Sequence, residues 1–447
     1  MSPRIHTTDR EILRLAVPAF LALIAEPLYL VADAAIIGHL GTAHLAGLGI
    51  AGAVLQTIVG LCVFLAYGTT ASVARRLGGG DLAGALRLGI DGIWLAVGIG
   101  AVVTVAGIVL TPELIGAFGV GGDVAVHGET YLRIALLGVT PLLLMLATTG
   151  VLRGLQDTRT PLYVAVGGNI ANVALNVALV YGLGPLPALG IAGAALGSVI
   201  AQTASAAVLV GVVAHHSRAH GTPLTPHRAG VVMAARAGVP LLVRTLTLRA
   251  ALLLTTYAVT LAASGPPDVD LATHQLATTL WSFLAFALDA IAIAAQALTG
   301  KSLGAGDVGR TKELTARMVR WGIGSGIVLG GLLAASSPFI GRLFSPDPAV
   351  HAALVPVLLV AALGQPLAGV VFVVDGVLIG AGDGRYLAWA GLVVLAVYVP
   401  LLLAAATLIG GLVSVWVAMA GVFMGARGVV LWHRARGEKW LITGVAH

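Results

Sequence analysis

Apolar stretches of about twenty residues or more follow one another through this chain with few charges inside them. A helix that crosses the hydrocarbon core of a bilayer needs about 20 such residues. Lipid offers the backbone no hydrogen bonds, so only helices and closed barrels can cross it. The stretches fall at about 15–38, 45–73, 88–110, 127–152, 160–181, 189–213, 237–263, 275–300, 321–344, 351–380, 386–409 and 412–431. By that rule the expected fold class is all-α integral membrane with about 12 transmembrane helices. Composition agrees. The chain is 58% hydrophobic and 10% charged, against roughly a quarter charged in a soluble chain. Its 60 glycines suit helices packed closely in lipid. The first stretch is too long for a signal-peptide core and reads as a span. The single cysteine, Cys62, excludes an internal disulfide and offers no metal cluster.

A net charge of +6 suggests nucleic acid until the basic residues are placed. They alternate from loop to loop. One set of loops holds Arg4, Arg10 and Arg14; Arg75, Arg76 and Arg87; Arg153 and Arg159; Arg218, Arg228 and Arg236; Lys301, Arg310, Lys312, Arg317 and Arg320; Arg385; and Arg434, Arg436 and Lys439. The other set, HLGTAH, TPELIGAFGVGGD, GLGPLPALG, SGPPDVD and FSPDP, is nearly free of them, Arg342 being the clear exception. Basic loops stay in the cytoplasm. Both termini are therefore expected there, in a cell membrane, and no nucleic-acid partner is expected.

The chain also repeats itself. Gly80-Asp81 recurs as Gly306-Asp307, Pro112 and Phe118 recur as Pro338 and Phe344, and GVLRGLQD at 150–157 recurs as GVLIGAGD at 376–383. The offset is 226 each time (307 − 81, 338 − 112, 383 − 157). Upstream, Arg14 and Pro18 recur as Arg236 and Pro240, at 222. The Gly-Asp turns fall on the same side in both copies, so each copy holds an even number of spans. This predicts two parallel six-helix repeats related by a pseudo-twofold axis along the membrane normal. The lobes are expected at 1–214 and 231–447, joined by a solvated cytoplasmic linker at 215–230. Its histidines lack the spacing of metal ligands.

Ionisable side chains inside spans are costly and mark function by default. The first span carries Glu26 and Asp33, seven residues apart and so on one face, about 10 Å apart along the axis. Tyr29 lies between them on that face. The fifth span carries a matching stripe, Asn169, Asn172 and Asn176. An asparagine can donate to a carboxylate or accept from an acid. Two acids without a nearby cation, facing amides, suit a site that takes up and releases a coupling cation. The competing reading is two protonated acids serving as glue between helices. The second half differs: Arg244 and Arg249 in the seventh span balance Asp289 in the eighth and Asp375 in the tenth. These can form a neutral network or line a substrate cavity. Glu129 and Arg133 are spaced for a local pair. Asp91 and Arg427 fall near cytoplasmic ends, where they can snorkel. Pro27, beside Glu26, could act as a hinge. GGGD and GAGD lack the lysine of a phosphate-binding loop, and no nucleophile motif or metal-ligand spacing appears, so neither an enzyme nor a cofactor is expected.

Over essentially its whole length the chain resembles the multidrug and toxic compound extrusion (MATE) family, and in detail its DNA-damage-inducible, DinF-like branch. EPLYLVADAAIIGHLG, VLRGLQDTRTP, NIANVALNVALVYGLG and VVDGVLIGAGD carry the likeness. It implies a monomeric antiporter in the membrane lipid that exports organic, often cationic, drug-like compounds in exchange for H+ or Na+. It also implies that Asp33 couples to the cation, with Tyr29 and Asn172 beside it. Two departures stand out. Asn176 replaces an aspartate common in the family, and Glu26 replaces a glutamine, as though a carboxylate had moved from the fifth span to the first. H+ is favoured, as in that branch. A flippase for a lipid-linked precursor, which would use Arg244 and Arg249, and a non-transporting scaffold are the alternatives.

Overall fold

In a computed structural model of the chain, which describes residues 3–184, 187–263 and 267–444, the described residues are almost entirely helical. The helices are α1 (Pro3–Gly38), α2 (Thr42–Leu61), α3 (Phe64–Gly78), α4 (Leu82–Val109), α5 (Thr111–Gly116), α6 (Gly122–Ala135), α7 (Val139–Gly154), α8 (Arg159–Tyr181), α9 (Ile191–Ala219), α10 (Arg228–Ala262), α11 (Pro267–Gly304), α12 (Val308–Phe344), α13 (Pro348–Gly380), α14 (Gly384–Ala404), α15 (Leu412–Val417) and α16 (Met424–Arg436). They make the expected twelve spans. Two spans are composite: α2 runs into α3, and α6 into α7 through one turn of 3₁₀-helix at Leu136–Gly138. Two others carry π-helical turns, Ala405–Ile409 after α14 and Ala418–Phe423 between α15 and α16. No hydrophobic pattern announces those turns. The loops GLGPLPALG and SGPPDVD lie partly outside the described residues, as does the side chain of Arg4.

The chain divides into two compact units, Leu21–Gly238, and Met1–Phe20 with Val239–His447. In the first, α8 packs on α9, α3 on α7 and α2 on α6. Its linker segment is held against α4: Asp91 accepts from the His227 backbone N–H at 2.9 Å, Arg87 donates to the Pro223 carbonyl at 3.1 Å, and Trp94 donates to the Leu224 carbonyl at 2.9 Å. Asp91 therefore does not snorkel. It is buried under the linker it secures. In the second unit, α11, α12 and α13 pack against one another. There the opening of α1 is tied to α12. Arg317 forms a two-pronged pair with Asp9, which also accepts from the Trp321 indole at 2.8 Å, and Arg310 pairs with Glu11 at 2.8 Å.

The repeat is visible atom by atom. Gly80 and Gly306 both turn through positive φ, +78° and +76°. The aspartate that follows each caps the next helix: Asp81 accepts from the Gly84 N–H and Asp307 from the Arg310 N–H, both at 2.8 Å. The Arg76 guanidinium beside Asp81 holds its carboxyl below the usual carboxylate range, and the Gly84 N–H adds to this. A Cβ on Gly150 would lie 2.5 Å from the Ala66 carbonyl oxygen and 2.9 Å from its Cα. A Cβ on Gly376 would meet Ala292 at the same two distances. Both pairs of positions differ by 226, so the close crossing of α3 with α7 is rebuilt between α11 and α13. Small residues let helix backbones approach this closely.

Candidate functional site

Within the first unit α1, α8 and α9 bring five polar side chains into one connected cluster. Asp33 on α1 is 3% exposed, Asn172 on α8 3% and Asn176 0%. Asn176 Nδ2 donates to Asp33 Oδ1 at 2.5 Å and to Asn172 Oδ1 at 3.0 Å. Asn172 Nδ2 donates to Ser198 Oγ on α9 at 3.0 Å, and Ser198 Oγ shares a hydrogen bond with the Tyr29 hydroxyl at 3.1 Å. The network therefore runs Asp33, Asn176, Asn172, Ser198, Tyr29 and returns to the helix on which it began. The α-helical spacing makes this possible. Tyr29 and Asp33 are four apart on one face, as are Asn172 and Asn176.

Two features bear on what the cluster can do. Asp33 makes no ion pair among the described residues, and the donors beside it, the Tyr29 hydroxyl and the Asn176 amide, are neutral. Asn176 Oδ1 is fully buried and has no hydrogen-bond partner. A buried acceptor left unpaired is uncommon and costly, and here it adjoins the carboxylate whose proton count is in question. Packing holds it in place: any side chain at Gly197 of α9 would strike the Asn176 amide.

Two expected members are placed differently. Asn169 does not reach either acid. It donates to the Ala25 carbonyl at 2.7 Å and so ties α8 to the α1 backbone two residues before Pro27. Glu26 sits on an exposed part of α1 and makes no hydrogen bond or ion pair among the described residues. The seven-residue spacing sets it on the Asp33 side of the helix but outside the network. Pro27 is accommodated within continuous α1. Two residues went unrecognised in the sequence. Ser198 is one small polar residue in a Gly- and Ala-rich helix. Tyr131 on α6, 4% exposed, lies beside Tyr29, Ser198 and Asp33. It is masked in the sequence by the Glu129–Arg133 pair that flanks it, which forms at 3.4 Å as the spacing predicts.

In the second unit Asp375 on α13 is the hub. Arg244 on α10 grips both its oxygens, with Nε to Oδ1 at 3.1 Å. Arg427 on α16 lies 3.6 Å away, with its guanidinium 5.6 Å from the Phe423 ring centre and 6.0 Å from that of Phe372. Arg427 is 8% exposed. It does not snorkel to the surface as its position near a span end suggests. Arg249, expected in this network, does not enter it: its side chain is exposed on α10 and makes no ion pair among the described residues. Asp289 is half-buried on α11 and is also engaged. The cavity beside Arg244, Asp375 and Arg427 measures about 20 Å³, the space of a single water.

The sequence matches the MatE family model over residues 18–178 and 248–422. It is 32% identical to the probable multidrug resistance protein NorM of Deinococcus radiodurans, covering 96% of this chain and 92% of that one. It is 29% identical to the DNA damage-inducible protein F of Escherichia coli, over 67% of this chain and 65% of that one. The fold is similar to that of the Vibrio cholerae MATE transporter VcmN in its bent form. The TM-score is 0.88 with 20% identity, and 98% of each chain is covered.

Proposed function

This chain belongs to the MatE family of multidrug and toxic-compound efflux transporters, and on that premise we propose that it is a secondary active antiporter. It exports organic, cationic or amphipathic compounds in exchange for H+, by alternating access, from a cell membrane with both termini in the cytoplasm. The relatives and structural neighbours are transporters, so no catalysed reaction is assigned to it. The multidrug name of the NorM relative supports a drug-like substrate. The alternation of basic and neutral loops supports the orientation.

One observation carries the choice of coupling site: Asp33 is buried among polar groups that include no cation, beside an amide oxygen that lacks a donor. A carboxylate taken out of water favours its neutral form unless a cation compensates. As an anion, Asp33 accepts from Asn176 Nδ2. As an acid it becomes a donor, and the Asn176 Oδ1 that has no partner is the acceptor it can use once the amide turns over. Asn172, Ser198 and Tyr29 are linked to that amide in series, so one proton changes the hydrogen bonds that join α1, α8 and α9. Tyr29 and Tyr131 supply hydroxyls beside the carboxylate, and Asn169 anchors the helix pair on the other side of Pro27. Glu26, outside the network, tunes or feeds Asp33. Buried ions around Asp375 are matched by arginines, and the cavity lined by Arg244, Asp375 and Arg427 has the space of about one water, which favours a structural role there over the cationic pocket that a lipid-precursor flippase would need.

The test is proton release. Purified protein in weakly buffered detergent, titrated with a panel of lipophilic cations, should acidify the medium as an active compound binds. Binding that releases no proton and is weakened by Na+ instead would assign the coupling to Na+.

A further inference from the structure

We propose that the groove between the opening of α1 and the first half of α12 binds the headgroup of an anionic phospholipid. The groove, entirely within the second unit, has a volume of about 600 Å³ and is lined by Phe20, Arg317, Arg320, Trp321, Val328 and Leu329 among others. Its two cations are one helical turn apart. Arg317 is matched by Asp9, which the Trp321 indole also holds. Arg320 meets only the Ala316 carbonyl of its own helix and makes no ion pair among the described residues. Asp9 therefore neutralises one guanidinium of two, and the groove keeps a net positive charge with donors free. A planar guanidinium is well matched to a phosphate.

The remaining walls say what the phosphate is attached to. Val328 lies eight residues beyond Arg320, about 12 Å deeper into the span. It is 61% exposed, and Leu332, one turn further, is 62% exposed. Gly324 and Ser325 lie between the cations and this strip, and Phe20 and Leu329 complete the lining. The result is a cationic end, an indole at the level where aromatic rings sit in membranes, and an apolar track open along its length. An inorganic phosphate or a soluble acid would use the first part and leave the track unused. A phospholipid uses both, and basic pockets between spans on the cytoplasmic side suit anionic headgroups. The assignment does not depend on the coupling ion or on the exported compound.

The experiment is retention of lipid by the full chain. Protein exchanged into a phosphatidylglycerol and phosphatidylcholine mixture is examined by native mass spectrometry, with thermal stability measured alongside. The wild type should keep phosphatidylglycerol in preference to phosphatidylcholine. Arg320→Gln should lower that preference about fivefold, the effect of one arginine near a charged membrane surface. Val328→Trp, which fills the track from an exposed position, should lower retention while Arg320 is intact. An unchanged lipid ratio in both variants would overturn the proposal. So would inorganic phosphate stabilising the protein as much as phosphatidylglycerol does.

Discussion

The same two helix positions hold different chemistry in the two repeats. In the first, α1 and α8 set Asp33 against Asn172 and Asn176. Adding the offset of each segment, 222 to Asp33 and 226 to Asn172, leads to Thr255 on α10 and Tyr398 on α14. Those two bond directly, hydroxyl to hydroxyl at 2.6 Å, where Asp33 and Asn172 are joined through Asn176, and both are buried. One ancestral crossing thus carries a titratable acid in one copy and a neutral pair in the other. The neutral pair satisfies itself, and Thr255 donates onward to the Ala251 carbonyl at 2.7 Å. The first copy leaves an acceptor without a donor. The second repeat keeps its ions elsewhere, around Asp375, and matches them with arginines. A scaffold needs only the second arrangement. Unpaired buried polar atoms occur in the second unit too, at His274 and Gln365 among others, so what marks the first is the place of the Asn176 oxygen, beside the Asp33 carboxylate.

That contrast is broken most directly at the acid. Asp33→Asn keeps shape and polarity while removing the titration. It should reduce proton-driven drug uptake by inverted vesicles to the level of protein-free vesicles, with folded protein still recovered in normal yield. Unchanged uptake would remove Asp33 from the coupling role. Asp375→Asn should give the opposite profile, because it strands Arg244 and Arg427 in the interior. Breaking a buried pair by removing one partner costs about 3–5 kcal/mol, so a large drop in melting temperature is expected. Whatever protein survives should keep its pH dependence of transport. If Asp375→Asn instead shifts that dependence without loss of stability, the two lobes share the coupling and the contrast fails.

How far these roles can be read from sequence follows the same division. Regular spacing carried the spans, the repeat and the meeting of Asp33 with the Asn172–Asn176 stripe through Asn176, because helical periodicity converts sequence distance into a shared face. Spacing failed where the decisive fact was depth or a third helix. Arg427 lies near a span end, yet α16 turns it onto Phe423 and Asp375. Arg249 lies five residues from Arg244, so it faces another way. Ser198 completes the cluster from a helix whose own pattern is featureless. The orphaned Asn176 oxygen depends on what Gly197 leaves no room for, and no pattern in one chain reports that.

A smaller effect sharpens the reading of Glu26. Because it lies outside the hydrogen-bonded cluster, Glu26→Gln should weaken coupling without abolishing it, and substrate binding should persist. Transport followed across pH separates the two roles: a displaced pH profile makes Glu26 a tuning group, and a wild-type profile makes it structural.

The smallest effect tests whether the repeats are interchangeable where no function is claimed. Gln156 and Gly382 are 226 apart and occupy the same turn, with φ of +69° and +77°. In both, the aspartate that follows returns its N–H to the helix end, Asp157 to the Leu152 carbonyl at 2.8 Å and Asp383 to the Leu378 carbonyl at 3.0 Å. The backbone there is left-handed in both copies, and only one copy carries the residue that tolerates it freely. A side chain in that conformation costs roughly 1–2 kcal/mol. Gln156→Gly relieves that strain but adds freedom to the unfolded chain. The substitution also gives up the interaction that Gln156 makes, so the net change in thermal stability is expected to stay within about 1 kcal/mol, with transport unchanged. Gly382→Gln imposes the strain and should lose a similar amount. If both substitutions destabilise, the Gln156 side chain is holding something that its repeat partner does not, and the copies differ in structure as well as in chemistry.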